Sequence, residues 1–139
     1  MNLARVNHEI PVTTFDRAIS GIKAAQNVCH PALYVTPERK KYMLFSNASM
    51  ITPNSRVIAK PETIEPYVID NQVDLAKLLQ QNILTFSHAD NRSYGLEIDA
   101  ILNKHQKKST FFPVQNISIT RVFKMLERNR MDVSIAYPF

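Results

Sequence analysis

The stretch LAKLLQQNILTFSHADNRSYGLEIDAILNKH, residues 75–105, decides the reading of the fold. Leu75, Leu78 and Leu79 are spaced three and four apart, which marks one face of a helix. Ile83 to Phe86 is a short apolar run of strand type, and Tyr94, Ile98, Ile101, Leu102 and His105 then line one side of a longer helix. Toward the C-terminus the alternation continues. Thr110 to Val114 reads as a strand, Ile119, Val122, Phe123 and Leu126 as a helical face, and Val133 to Ala136 as a closing strand. Helices alternating with short β-rich runs predict an α/β fold, a doubly wound and mainly parallel sheet covered by helices.

Toward the N-terminus the pattern is less regular. Pro61 to Asn71 carries two prolines and reads as a connection, while Arg56 to Lys60 is an extended run bounded by Pro53 and Pro61. Thr36-Pro37-Glu38-Arg39 is a compact helix start: threonine suits the cap, proline the first helical position and glutamate the first turn. Met43 to Phe45 and Val28 to Leu33 read as short strands, the second weakened by Pro31. Ahead of them, Thr13 and Thr14 precede Phe15, Ala18, Ile19 and Ile22, a capped amphipathic helix.

The chain has 139 residues, 45% of them hydrophobic and 21% charged, enough to bury a core and outside the composition of disordered chains. No apolar run reaches the length of a bilayer span. Met1 to His8 lacks the apolar core of a secretion signal, so a cytoplasmic chain or one already processed is expected. The single cysteine, Cys29, precludes an internal disulfide, and a buried inert thiol is its plain reading. The formal charge of +5 raises nucleic-acid binding, but the basic residues are scattered, as in Arg39-Lys40-Lys41 and Lys104 with Lys107-Lys108. Solvated helix surface accounts for them, and nucleic acid is not the expected partner.

Cys29 to Ser46 brings a family into view. An apolar strand, Thr36-Pro37-Glu38-Arg39 and Phe45-Ser46 follow one another as in the family-3 extracellular solute-binding proteins of bacteria, and the chain resembles that family. Asn129-Arg130-Met131-Asp132-Val133-Ser134-Ile135 is similar to its helix end, turn, aspartate and last lobe-two strand. The resemblance implies a periplasmic-binding-protein-like fold of type 2, with residues 1–54 a partial lobe one and 55–139 a nearly complete lobe two. It implies a truncated version, since the family's opening strand and glycine-rich region are missing, and completion through a partner or a swapped homodimer. It also implies a periplasmic location, a small-molecule ligand, and a membrane transporter or sensor as partner.

Arg39 is the first candidate ligand-binding residue, because the family's arginine at this place grips a carboxylate. A planar guanidinium matches two oxygens at once. The plain alternative is a surface arginine paired with Glu38 or Asp16. Tyr34 stands where the family faces its ligand, or else packs at a strand end. Ser87, Arg92 and Ser93 lie in or beside the loop after a strand, where parallel sheets place ligands. Asp90, Asn91 or Ser93 also serve as helix caps, as do Asn116 and Ser118. Amino-acid binders of the family carry an aspartate after the final lobe-two strand. Tyr137 stands there, which favours an anionic or aromatic solute over a zwitterion.

No nucleophile elbow, P-loop or dinucleotide fingerprint is present, and Ser87, His88 and Asp90 sit too close in sequence for a triad. His8, His30, His88 and His105 show no metal-ligand spacing. The expectation is therefore a non-enzymatic, cofactor-free and metal-free solute binder. The alternative is a basic interaction protein, with a degenerate cleft, that binds nucleic acid or a protein partner.

Overall fold

A computed structural model describes residues 9–48, 51, 53–90, 92–114 and 118–137. The first element is α1 (Phe15–Lys23), whose N-cap Thr14 accepts a hydrogen bond from the Arg17 amide at 3.3 Å. A 3-10 turn at Arg39–Lys41 follows. Then come β1 (Arg56–Ala59), the short α2 (Pro61–Ile64) running into a second 3-10 turn, and the hairpin of β2 (Val68–Ile69) and β3 (Gln72–Val73). Asp70 and Asn71 both take positive φ at the hairpin tip, the conformation such two-residue turns require. The remainder is α3 (Leu75–Gln81), β4 (Phe86–Ala89), α4 (Leu96–His105), β5 (Phe111–Val114), α5 (Ile119–Glu127) and β6 (Val133–Ala136).

Four strands form the main sheet in the order β1-β6-β4-β5. β4 pairs in parallel with both β5 and β6, while β1 runs antiparallel to β6 along one edge. The chain steps from β4 to β5 in one direction and returns past β4 to β6. Crossovers of one hand then put α4 and α5 on opposite faces. The core agrees. Phe86, Phe111, Val133 and Ile135 pack with Leu75, Leu78, Leu79 and Leu102 on one face. Val122, Leu126 and Met131 pack with Ile58 on the other. This mixed α/β sheet, mainly parallel, is the expected class.

Under α5 the sheet is lined with small residues. Ser87 and Ser134 lie opposite each other in register, and each is at most 2% exposed. Their size lets the helix sit close, at the cost of leaving the Ser87 hydroxyl without a partner among the described residues.

Several local expectations shift. Residues 28–33 and 43–45 form no strand, because no neighbouring strand offers them a ladder. The expected connection after Pro61 contains α2 and the hairpin. β4 starts at Phe86 rather than Ile83, and Ile83 is 70% exposed. Cys29 is exposed, not buried. Among the described residues no helix is long and apolar enough to cross a membrane.

Candidate functional site

A cleft of about 950 Å³ runs along β5 and α4 and reaches the carboxyl end of β4. One wall is built from α1 and the turn at Arg39, the other from α4 and the segment after β4. Arg39, Arg92 and Ser93 line it, together with His88 at the end of β4.

Arg39 is held from both ends. Its amide donates to the Thr36 hydroxyl at 3.2 Å, so the threonine caps a 3-10 turn where a helix start was expected. Its guanidinium donates from Nη1 to the Tyr34 carbonyl at 2.9 Å and lies 5.6 Å from the centre of the Phe15 ring. Only 7% of the residue is exposed, so it is a part of the cleft wall rather than a solvated surface arginine. Glu38 pairs with Lys41 at 2.6 Å.

Arg92 approaches the same ring from the sheet side. Its guanidinium lies 5.9 Å from the Phe15 centre and 5.9 Å from that of Tyr137. Phe15 thus contacts both arginines. Tyr137, directly after β6, stacks on Tyr34 at 6.0 Å and 18°, and on Tyr94 at 5.5 Å and 28°. Its hydroxyl donates to the Ser93 carbonyl. Burial, reinforced by Tyr34 and Tyr94, pushes the Tyr137 phenol up, so it remains a donor at any ordinary pH.

Tyr34 and Tyr137 therefore do not line the cleft: their rings stack together and fasten the N-terminal segment to the sheet. Ser87 does not line it either. Alternation along β4 turns its side chain to the face opposite Phe86, under α5. His88 returns to the cleft side, so Ser87 and His88 point apart, and the two cannot share one catalytic centre with Asp90.

The turn after β4 owes its shape to Asp99 and Gly95. Gly95 takes φ +100° and ψ 160°, a region that residues with a Cβ avoid, and provides no side-chain cap for α4. Asp99 reaches back instead, accepting from the Ser93 hydroxyl at 2.6 Å and the Tyr94 amide at 2.8 Å. Capping by Asp90 or Ser93 is thus replaced by a bond from inside the helix, and Asn91 lies outside the described residues. Ser118 caps α5 through the Arg121 amide, whereas His8 and Asn116 lie outside the described residues. Spacing gave one local signal for Asp99, an acid in the first turn of a helix that begins at glycine.

The cleft also holds carboxylates that sequence reading did not assign to it. Asp16, Glu38, Asp90 and Asp99 face the same space as Lys23, Arg39 and Arg92. Burial holds the His88 imidazole below its usual pKa, although a backbone bond to Ala89 and the charges of Asp90 and Asp99 pull it upward. His88 is therefore neutral at pH 7. No family model, curated protein or solved structure matches the chain.

Proposed function

We propose that the protein binds a small anionic solute in this cleft, without chemistry, between the N-terminal segment and the wall formed by α4, β5 and the end of β4. One observation carries the reading: two guanidinium groups, Arg39 and Arg92, enter the walls of a 950 Å³ cleft from separate segments of the chain. The volume is within the range of small-molecule sites, about 300–1,000 Å³. At the carboxyl end of β4, where His88, Asp90 and Arg92 line it, the cleft reaches the place where α/β sheets receive ligands. An anion is favoured over an aromatic solute because the Tyr137 ring is already engaged by Tyr34, Tyr94 and the Arg92 guanidinium. The carboxylates nearby call for a compact anion held close to the arginines, since a larger one meets like charge.

In this proposal residues 55–139 are lobe two of a type 2 periplasmic-binding-protein-like clamp and residues 1–54 a partial lobe one. Its compartment is the periplasm, its downstream partner a membrane transporter or sensor, and a second copy completes lobe one. The sheet order, with its reversal beside the cleft, supports that reading.

The test is calorimetric titration, paired with thermal unfolding, against small carboxylates, phosphate and aromatic acids. At least one anion raises the melting temperature by several degrees, as ligand linkage requires. Arg92→Gln abolishes the rise while still folding. It is a cleaner variant than any change at Arg39, which also holds the Tyr34 carbonyl. Neither heat nor stabilisation with the whole set would reject the proposal.

A further inference from the structure

The face of the sheet turned away from α4 has its own chemistry. Along β1, Val57 and Ala59 join the core with α3 and α4, while Ile58 joins the cluster under α5. Period-two alternation therefore puts Arg56 and Lys60 on the α5 side as well. On α5, Arg121, Lys124 and Arg128 are exposed at a spacing of three, then four, a single outward row, and Arg130 follows just beyond the helix. Lys60 Nζ donates to Asn129 Oδ1 at 2.5 Å, so the end of β1 touches the exit of α5. Six cations that are dispersed in sequence are gathered on one face. Glu127 is the exposed carboxylate among them, and Asp132 is occupied by Thr85. Among the described residues none of the six forms an ion pair.

Two exposed phenyl rings belong to the same side of the sheet. Phe123 on α5 is 49% exposed, although its neighbours Val122 and Leu126 are buried. Phe112 is 51% exposed and lies opposite Ser87 in register, which puts it on the α5 side of the sheet. Core packing explains neither ring.

The geometry points to a single-stranded nucleic acid as the partner of this face, with phosphates on the arginines and lysines and bases against the exposed phenyls. Each feature selects among polyanions. Unpaired cations in a row attract any phosphate chain and release its counterions. Exposed rings add something only where base faces are accessible, which a duplex denies them. A bilayer would need an apolar helix face to enter it, and α5 has committed that face to the core. This site is separate from the cleft and independent of the solute reading.

The test is fluorescence anisotropy of a labelled mixed-sequence single strand titrated with the full chain at several salt concentrations. If the six cations each meet a phosphate, the logarithm of affinity falls against that of salt with a slope of about −4. Arg121→Glu with Arg128→Glu weakens binding at least about tenfold, since two phosphate contacts become repulsive. Phe123→Ala weakens single-strand binding about fivefold or more and leaves any duplex binding unchanged. Lys104→Glu with Lys107→Glu, at the end of α4, changes affinity less than about twofold, because α4 covers the other face. Circular dichroism melts establish that each variant folds. Absence of binding at low salt, equal losses from the two charge reversals, or preference for duplex, anionic vesicles or polyglutamate would each overturn the assignment.

Discussion

Thr85 and Asp132 hold each other reciprocally where β4 and β6 begin. The Asp132 carboxylate accepts from the Thr85 amide at 2.8 Å and from its hydroxyl at 2.6 Å, while the Asp132 amide donates to the same hydroxyl at 2.9 Å. Two parallel strands separated by 47 residues are thereby fixed in register at their amino ends. Asp132→Ala leaves an amide and a hydroxyl without their charged acceptor, which costs roughly 2 kcal/mol of stability. Thr85→Val preserves volume and costs about 1 kcal/mol. Urea unfolding of both single variants and the double will give a sum larger than the double's loss, because the groups act as one unit. Additive losses would mean the clamp is not coupled.

This clamp also shows what sequence conveyed and what it withheld. Periodicity was enough for α1, α3, α4 and α5, since each carries its apolar residues on one helical face and three have a side-chain cap. It was not enough for the start of β4. An apolar run from Ile83 reads as a strand, yet Thr85 is engaged by Asp132 and pairing begins at Phe86. That shift of three moves Ser87 from an expected loop into the strand and turns it under α5. The tyrosine stack had no local signal at all. Tyr34, Tyr94 and Tyr137 meet only because the chain winds back on itself. Nor does spacing along the chain show that Arg56 and Lys60 share a face with α5.

Three histidines make the fold less stable as the pH falls. Burial holds His30, His88 and His105 below the ordinary value of 6.5, with Arg39 adding to the effect at His30 and two lysines at His105. His105 is 7% exposed, and its Nδ1 finds no partner among the described residues. Unfolding restores the normal pKa, so below about pH 6.5 the unfolded chain binds more protons than the native one. Their contribution is complete above that pH and declines as pH falls toward the depressed native values. The urea midpoint should drop between about pH 7 and 5, and His88→Gln with His105→Gln should flatten that drop. An unchanged slope in the double variant would exclude these imidazoles as its source.

Ala25 takes φ +53° just after α1, with its amide bonded to Ile22 and the next amide to Gly21. This left-handed stop is the conformation glycine tolerates best. Ala25→Gly should stabilise the protein, by up to about 1 kcal/mol. Gly95→Ala should do the reverse at φ +100°, costing about 1–3 kcal/mol even though the space beside its Cα is open. Thermal melts of the two variants should move in opposite directions. A drop for Ala25→Gly would mean that its methyl makes a contact worth more than the strain.

Tyr137 ties the N-terminal segment to the sheet, and its two functions separate by substitution. The ring stacks on Tyr34 and on Tyr94, whereas the hydroxyl donates to the Ser93 carbonyl. Tyr137→Phe keeps the stack and loses one hydrogen bond, at a cost of about 1 kcal/mol. Tyr137→Ala removes both stacking contacts, each worth about 0.5–1.5 kcal/mol beyond buried area, and with them a main attachment of the segment bearing Arg39. Limited proteolysis reads the difference. Cleavage between residues 24 and 48 should accelerate several-fold in the alanine variant while the sheet region remains protected, and the phenylalanine variant should resemble the parent. If the alanine variant is cut no faster, the wall of the cleft is held by Arg39 and Phe15 without the stack. If both variants are cut equally fast, the bond to Ser93 matters more than the rings.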